Sequence, residues 1–383
     1  MKVPLLDLKR QYREIEREVM EAAQDVFRTQ MFILGPRVSE FEALVAQYCG
    51  TGYAVGVSSG TDALLISLMA AGVGHNDLVV TTPYTFFATG GAIARLGARP
   101  VFVDIDPDTY NMDARLFAET VGALDDDQRS RLKAVIPVHL YGQCAHMAPI
   151  LETARTHGLA VIEDAAQAIG SEYAFADGNV KRAGAMGDYG CFSFFPSKNL
   201  GAFGDAGMVT TGNKAIFEHL KVLRVHGAEP KYYHDLIGGN FRLDALQAAI
   251  LSVKIPLLDA WSERRQANAA LYRSLFQDKG PASISLPEER EHRHIYNQFV
   301  IRVAQERDDL KAYLGRKGIG CEIYYPVPLH MQACFKYLGY EAEDFPVSME
   351  AAEKTLALPI FPELTTEEIV YVVDIISEYF KSK

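Results

Sequence analysis

The chain contains few cysteines, and no two of them form a CxxC pair. The five are scattered along the sequence at Cys49, Cys144, Cys191, Cys321 and Cys334. Small secreted domains that depend on disulfides carry an even, closely spaced set of cysteines. The pattern therefore argues against a disulfide framework and favours reduced thiols, and we expect a cytoplasmic protein.

Positive charge and long apolar runs are also scarce. Lysine and arginine together number 38 against 49 aspartates and glutamates, which gives a net charge of −11. Such a balance argues against nucleic acid or an anionic membrane as a general partner. The N-terminus lacks the apolar core of a signal peptide, and the most apolar stretch, residues 63–71, is too short to span a bilayer. We expect neither nucleic acid nor a membrane among the partners.

Several common catalytic motifs are absent. No G-x-G-x-x-G follows the first apolar run, and the chain has no P-loop. These absences argue against a Rossmann dehydrogenase and a P-loop NTPase. His292 and His294 form an H-x-H pair, but no cysteine or acidic residue follows at metal-ligand spacing. We therefore expect no metal site.

What the chain does contain is a regular alternation of short apolar runs and helix-length segments. With 383 residues, of which 49% are hydrophobic, it is long enough for two domains. Buried strands that alternate with helices predict an α/β fold with a mainly parallel sheet. The last two runs lie only a loop apart, so part of the sheet is expected to be antiparallel. The predicted strands are residues 53–57, 78–82, 101–105, 133–138, 159–163, 190–195 and 207–211.

Helical patterns frame these strands. Residues 9–28 form an amphipathic pattern, and residues 39–50 suggest a second helix with Ser39 as N-cap and Glu42 completing a capping box. The stretch 240–276 predicts a long helix interrupted near Pro256. After it the rhythm changes to a smaller α+β region. We predict a large domain with its N-terminal segment over residues 1–250 and a small C-terminal domain over residues 251–383.

Three motifs at predicted strand ends suggest a ligand site. In "SSGTDALL", Gly60 allows a close approach and the following helix N-terminus suits a phosphate, although Ser59 or Thr61 could simply cap the helix. In "VIEDAAQ", Asp164 could hold a cationic nitrogen or serve as an N-cap. In "TTPYTFFAT", Phe86 could stack on a flat cofactor or pack in the core.

The fourth signal is Lys198, which lies in the apolar and glycine-rich stretch "FSFFPSKNLGAFGDAG". A buried lysine is costly unless its pKa changes. Covalent use of the amine would explain its place, and so would a side chain that extends to water. Taken together, a phosphate cradle, an aromatic platform, a strand-end acid and a lysine are what pyridoxal phosphate requires.

These motifs give the sequence a marked resemblance to the DegT/DnrJ/StrS family of sugar-nucleotide aminotransferases. The resemblance runs from "VPLLDLKRQY" through "EDAAQ", "SFFPSKNLGAFGDAG" and "GGNFRLDALQAAIL" to "YYPVPLH", nearly the whole chain. It implies the fold-type I aminotransferase architecture, in which a mixed, mainly parallel sheet flanked by helices is joined to a smaller α+β C-terminal domain. It also implies a homodimer with shared active sites and pyridoxal 5'-phosphate as cofactor.

The resemblance also assigns roles to individual residues. It implies that Lys198 carries the Schiff base to the cofactor, and that Asp164 pairs with its pyridine nitrogen. The other implied contacts are Gln167 to the ring hydroxyl, Phe86 stacked on the ring, Gly60, Thr61 and Ser193 at the phosphate, Asn240 at the phosphate from the other subunit, and Arg242 and Tyr325 near the sugar nucleotide. Ile169 departs from the family pattern, where many members have histidine, so a polar role is not expected there.

The implied reaction moves an amino group from an amino acid, usually glutamate in this family, to a keto sugar of a nucleotide sugar in amino-sugar biosynthesis. "PVHLYGQCAHM" and "YYPVPLH" resemble the branch that aminates C3 of a UDP-linked 3-keto sugar. His139, Tyr141 and Gln143 alternate at this strand end, where they could shape the site. The alternatives are a 4-keto-6-deoxy sugar aminotransferase, a dehydratase, which Lys198 disfavours, and a silent regulatory protein, which intact Lys198 and Asp164 disfavour.

Overall fold

The structure is a computed structural model that describes residues 1–382. Its helices are α1 (Leu8–Thr29), α2 (Pro36–Cys49), α3 (Gly60–Ala70), α4 (Phe87–Arg95), α5 (Ala114–Ala123), α6 (Asp126–Arg131), α7 (Met147–His157), α8 (Lys214–Leu223), α9 (Ala245–Lys254), α10 (Leu258–Lys279), α11 (Arg307–Arg316), α12 (Pro346–Lys354) and α13 (Thr366–Lys381). Its strands are β1 (Tyr53–Val57), β2 (Leu78–Thr81), β3 (Arg99–Phe102), β4 (Leu132–Val135), β5 (Ala160–Asp164), β6 (Glu172–Ala174), β7 (Val180–Arg182), β8 (Tyr189–Ser193), β9 (Gly207–Thr211), β10 (Ile284–Ser285), β11 (Phe299–Val303) and β12 (Thr355–Leu358).

Seven strands form the central sheet in the order β1-β9-β8-β5-β4-β2-β3. Strands β8, β5, β4, β2 and β3 pair in parallel, whereas β9 is antiparallel to both of its neighbours. The predicted mixed, mainly parallel sheet is confirmed, including the antiparallel pairing of the last two runs. Since β9 alone is reversed, β1, β2, β5 and β8 all end at the same edge.

Helices cover both faces of this sheet because its strands are apolar on both sides. Neighbouring residues point to opposite faces. Val80 belongs to the same core cluster as Phe41 of α2 and Leu251 of α9, whereas Val79 belongs to a second cluster with Ile66 of α3 and Leu220 of α8. The two layers hold the sheet edge rigidly, and the loops at that edge carry the candidate site.

A second core lies towards the C-terminus. The three-stranded antiparallel sheet β10-β11-β12 packs against α10, α11 and α13. Val3 also belongs to this core and pairs with Ile319. The helical stretch after residue 240 is interrupted as predicted, by a short 3-10 turn at Ile255–Leu257 that contains Pro256. The division between residues 250 and 251 stays a prediction.

Two local predictions were wrong. Helix α2 begins at Pro36 rather than at Ser39, because a proline at the first helical position loses no hydrogen bond. Glu42 forms no capping box; its carboxylate accepts from Gly56 N at 2.8 Å and pairs with Arg224. Strand β3 spans Arg99–Phe102 and not the predicted residues 101–105. Its pairing with β2 begins with Arg99 opposite Leu78. Within residues 1–382, no helix has the length and apolar character needed to cross a membrane.

Candidate active site

The predicted cofactor residues converge on one edge of the central sheet. Asp164 and Ser193 are the last residues of β5 and β8, Gly60 begins the helix that follows β1, and Phe86 precedes the helix that follows β2. These strands run in the same direction, so their carboxyl ends face one crevice. Ligands of open α/β sheets bind at such ends.

Asp164 is buried but well hydrogen-bonded. Its Oδ2 accepts from Thr89 Oγ1 at 2.8 Å, and its Oδ1 accepts from Ala166 N at 3.2 Å. Burial raises the pKa of Asp164, while these two donors and the nearby Lys198 act in the opposite direction. The donors favour the ionised carboxylate, which can then hold a cationic group in the crevice.

Lys198 is half-buried and lies in the loop that follows β8. Its backbone N–H donates to Phe195 O at 2.8 Å, but within residues 1–382 its amine makes no hydrogen bond and no ion pair. Removal from solvent lowers the pKa of Lys198 to about 8, against the opposing effect of the Asp164 charge. An unpaired amine with a lowered pKa is a ready nucleophile at neutral pH.

A second lysine, which the sequence analysis missed, holds the loop that carries Lys198. Lys254 of α9 is buried, donates from Nζ to Gly201 O at 2.6 Å, and lies 4.7 Å from the Phe203 ring centre. Burial lowers the pKa of Lys254 to about 8. Directly after Lys198, Asn199 Oδ1 accepts from Asn297 Nδ2 at 2.6 Å. The loop is thus anchored at two points within three residues after the reactive amine.

The start of α3 forms a small polar cradle. A Cβ atom on Gly60 would lie 2.5 Å from Ser193 Cβ, so only glycine lets the helix end approach β8 this closely. Ser59 caps the helix by accepting from Asp62 N at 3.1 Å. The backbone N–H groups of Gly60 and Thr61 and the Thr61 hydroxyl have no partner within residues 1–382. Free N–H groups at a helix N-terminus suit a phosphate.

Gln167 and Tyr325 are joined by a hydrogen bond between their side chains. Gln167 is buried, accepts at Oε1 from Tyr141 N at 2.7 Å, and donates from Nε2 to Tyr325 Oη at 3.1 Å. Burial, with a further contribution from the Asp164 charge, raises the pKa of the Tyr325 phenol. Phe86 lies 5.9 Å from Tyr325, ring centre to ring centre, and is 57% exposed, so it does not pack in the core.

Asn240 and Arg242 lie beside the end of β1, where Arg242 pairs with Val57 in an isolated bridge. They line a cavity of about 440 Å³ together with Ile33, Ser58, Gly204, Asp205, Asp244 and Gln247. The Nε atom of Arg242 is buried without a hydrogen-bond partner, and the guanidinium forms no ion pair within residues 1–382. No hydrogen bond joins either residue to Asp164, Gln167 or Lys198 in this chain. An unpaired arginine beside an amide suits an anionic ligand.

The residues at the sheet edge fit pyridoxal phosphate. The crevice offers a hydrogen-bonded carboxyl group for the ring nitrogen, an unpaired amine for the aldehyde and an exposed aromatic ring for the ring face. The glycine-dependent cradle with free N–H groups suits the phosphate. Ile169, by contrast, is buried in the apolar core and takes no part in the site.

Comparisons with known proteins identify a matching family model and several similar proteins. The sequence profile of the DegT/DnrJ/EryC1/StrS aminotransferase family matches residues 13–377. A protein of Geobacillus stearothermophilus named pleiotropic regulatory protein is 48% identical, over 100% of this chain and 99% of its own length. The UDP-N-acetyl-3-dehydro-alpha-D-glucosamine 3-aminotransferase of Acidithiobacillus ferrooxidans is 40% identical, over 98% and 97% of the two chains.

Solved structures show the same similarity in three dimensions. DesV of S. venezuelae, crystallised with a ketimine intermediate, is 38% identical with a TM-score of 0.92, over 99% of this chain and 98% of DesV. NtdA of Bacillus subtilis, crystallised with the bound cofactor PMP, is 31% identical with a TM-score of 0.88, over 99% of this chain and 85% of NtdA. The predicted fold-type I architecture is confirmed by these similarities.

Proposed function

Because this chain belongs to the DegT/DnrJ/EryC1/StrS aminotransferase family, we propose that it transfers an amino group from glutamate to C3 of a UDP-linked 3-keto sugar. The cofactor is pyridoxal phosphate, as in this family of transaminases. The observation that carries the proposal is the unpaired amine of Lys198 beside the hydrogen-bonded carboxylate of Asp164. The Acidithiobacillus relative, whose name specifies a UDP-linked 3-dehydro sugar, supports the choice of C3.

The residues at the sheet edge would divide the work of holding the cofactor. Asp164 would bind the protonated ring nitrogen, and a hydrogen bond to a charged group of this kind contributes about 1.5–3 kcal/mol. Gln167 would donate to the ring hydroxyl oxygen, and Phe86 would cover one face of the ring. Gly60, Thr61 and Ser193 would hold the phosphate. When bound, the cofactor supplies an electron-withdrawing ring that stabilises negative charge on the amino-bearing carbon.

Lys198 would act as the proton carrier of the reaction. With its pKa lowered to about 8, its Nζ atom is neutral in a useful fraction of molecules near neutral pH. The neutral amine would take the proton from the amino-bearing carbon of the donor, hold it, and return it to a neighbouring atom. The anchors at Asn199 and Gly201 limit the excursion of the amine and would keep it within reach of that carbon.

We also propose a homodimer in which each subunit completes the site of the other. Phe32, Ile33, Tyr232 and Tyr233 are exposed apolar or aromatic side chains, and Ile237 is 91% exposed. Exposed apolar groups of this kind mark interaction surfaces. Ile33 also lines the cavity of Asn240 and Arg242, so one of these exposed apolar side chains borders the polar cavity. Asn240 would reach the partner's phosphate site, and Arg242 and Tyr325 would lie near the nucleotide sugar.

Three alternative functions predict different behaviour. A 4-keto-6-deoxy sugar aminotransferase would differ only in substrate preference. A dehydratase is disfavoured by Lys198, because such relatives carry histidine in its place. A silent regulatory protein is suggested by the name of the Geobacillus relative, but a protein without chemistry would have no need for an unpaired amine beside a buried acid.

The deciding experiment is a screen of nucleotide sugars with glutamate as donor. The purified enzyme is incubated with UDP-linked 3-keto sugars and with dTDP-linked 4-keto-6-deoxy sugars, and the release of 2-oxoglutarate is followed for both. We expect a higher kcat/KM for the UDP-linked 3-keto sugars and no turnover in Lys198→Ala. A clear advantage for the 4-keto substrates would overturn the substrate assignment, and no 2-oxoglutarate from any sugar would overturn the proposed reaction.

A further inference from the structure

Tyr141 has an unusual backbone conformation for its residue type. It lies in the short turn at Leu140–Gly142 that follows β4, with φ of 60° and ψ of 1°, and its side chain is buried. The left-handed region is unfavourable for a residue with a bulky side chain. Strained conformations of this kind persist when the surrounding contacts require them, and they concentrate at functional sites.

The strained backbone sets the orientation of Gln167. The Tyr141 N–H donates to Gln167 Oε1 at 2.7 Å. A backbone N–H cannot accept a hydrogen bond, so a reversed amide would lose this contact. The amide nitrogen of Gln167 must therefore point the other way, where it donates to Tyr325 Oη at 3.1 Å.

The side chain of Tyr141 holds the same region from the other direction. Its hydroxyl donates to the carbonyl oxygen of Tyr324, and it lies 3.1 Å from Tyr84 Oη. The Tyr84 hydroxyl also reaches the Tyr324 carbonyl oxygen, at 2.8 Å, and Thr355 Oγ1, at 2.8 Å. Two buried phenols from the central sheet thus converge on one carbonyl group.

This carbonyl belongs to a segment that is attached to the small sheet. Glu322 and Ala357 of β12 exchange backbone hydrogen bonds of 3.2 and 2.8 Å. The contacts of Tyr141 therefore link the two sheets through three hydrogen bonds. The Tyr141 N–H donates to Gln167, and Gln167 donates to Tyr325. The carbonyl group of the adjacent Tyr324 accepts from the Tyr141 hydroxyl.

We propose that Tyr141 is a positioning residue that holds Tyr325 in register with Gln167. The inference rests on the proposed function, in which Gln167 faces the cofactor and Tyr325 the sugar. Within residues 1–382 the Tyr325 hydroxyl makes only the hydrogen bond that it accepts from Gln167, so its own hydrogen is available for the substrate. Tyr141 then determines where that donor lies relative to the cofactor ring.

A conservative substitution with a close control tests the proposal. Tyr141→Phe keeps the backbone turn and the ring packing and removes only the hydroxyl. The control is Tyr110→Phe, since Tyr110 also has a left-handed φ of 61°, is buried, and lies 5.8 Å from the Tyr141 ring, but its hydroxyl has no hydrogen bond within residues 1–382. Tyr84→Phe removes the second phenol from the Tyr324 carbonyl and serves as a second variant if Tyr141→Phe does not fold.

Two readouts separate positioning from a general loss of stability. In Tyr141→Phe holoenzyme we expect amide hydrogen exchange in residues 322–325 to accelerate about fivefold, as the loss of one buried hydrogen bond implies. We expect the KM for the nucleotide sugar to rise by a similar factor, with the rate of the glutamate half-reaction within twofold of wild type. Tyr110→Phe should change neither quantity.

The results can also contradict the proposal. Wild-type exchange of residues 322–325 in Tyr141→Phe would overturn it, and so would equal acceleration in Tyr110→Phe. Faster exchange with an unchanged KM for the nucleotide sugar would show a structural contact without a positioning role. The exchange measurement does not depend on the reaction, so a wild-type enzyme that aminates no keto sugar would contradict the proposed function alone.

Discussion

Gly60 and Ser193 approach each other so closely that no side chain fits between them. A Cβ atom on Gly60 would lie 2.5 Å from the Cβ atom of Ser193 and 3.1 Å from its Cα atom. The contact brings the first turn of α3 against the end of β8, and it places the free N–H groups of the helix beside the Ser193 hydroxyl. The proposed phosphate cradle depends on this contact.

Gly60→Ala should therefore weaken cofactor binding. The added methyl group must push α3 away from β8, which we expect to lower the free energy of unfolding by about 1–3 kcal/mol and to raise the Kd for pyridoxal phosphate at least tenfold. Gly122→Ala is the control, because Gly122 is an exposed helical residue with no atom within 4 Å of an added Cβ. Unchanged cofactor affinity in Gly60→Ala would refute the cradle.

Asp164→Asn tests the electronic role of the buried acid. An asparagine can still accept from Thr89 or Ala166, so the fold should survive, but a neutral amide cannot stabilise a protonated ring nitrogen. We expect kcat to fall by at least two orders of magnitude while the circular dichroism spectrum stays the same. If kcat is unchanged, Asp164 serves only as a structural hydrogen-bond acceptor.

Lys254→Met tests the buried lysine that anchors the loop of Lys198. The pKa of Lys254 is about 8 in the folded protein, below the ordinary value of 10.5. Between these two pH values the unfolded chain binds a proton that the folded chain does not, so stability increases with pH in this window. Methionine does not titrate, so the free energy of unfolding of Lys254→Met should lack up to about 3 kcal/mol of this increase with pH.

The measurement is the free energy of unfolding from urea titrations between pH 7 and 10.5. Lys198 contributes a similar pH dependence to both proteins and cancels in the difference. Lys221→Met is the control, since Lys221 is exposed and pairs with Glu218 at 3.1 Å. Parallel pH profiles for wild type and Lys254→Met would show that Lys254 is solvated and does not anchor the loop.

The central sheet could be predicted because strands buried on both faces read as short apolar runs between helices. The predicted runs 53–57 and 207–211 coincide with β1 and β9. Asp164 was a candidate for a related reason, because it directly follows the predicted run 159–163, whereas Ser193 was implied only by the family resemblance. The helix boundary was predicted wrongly where two local signals favoured different starts. At α2 the sequence offered both Ser39 as an N-cap and Pro36 as a first helical residue, and the helix begins at Pro36.

Two roles that the sequence analysis did not assign depend on contacts between distant parts of the chain. Lys254 reaches the carbonyl group of Gly201 from another helix, and Tyr141 reaches that of Tyr324, 183 residues further along the chain. Nothing in the local sequence of Tyr141 indicates its left-handed backbone, which local propensity disfavours. Such roles follow from packing between elements and become visible only in three dimensions.

Mixed dimers test the proposed sharing of active sites. Lys198→Ala and Asn240→Ala should each have little activity alone, because one lacks the reactive amine and the other lacks the partner's contribution to the phosphate site. In a hybrid dimer one of the two sites contains both native residues. After exchange of subunits we expect about a quarter of wild-type activity, since half of the dimers carry one intact site of two. If subunits exchange and no activity returns, each chain forms its site alone.

The most direct test of the account is to map the lysine that binds the cofactor during each half-reaction. The holoenzyme is reduced with borohydride, digested and analysed by mass spectrometry, either untreated, after addition of glutamate, or after glutamate followed by a UDP-linked 3-keto sugar. We predict a pyridoxyl label on Lys198 alone, its loss after glutamate, and its return after the keto sugar. A label on another lysine such as Lys254, or a label on Lys198 that glutamate does not remove, would contradict the account.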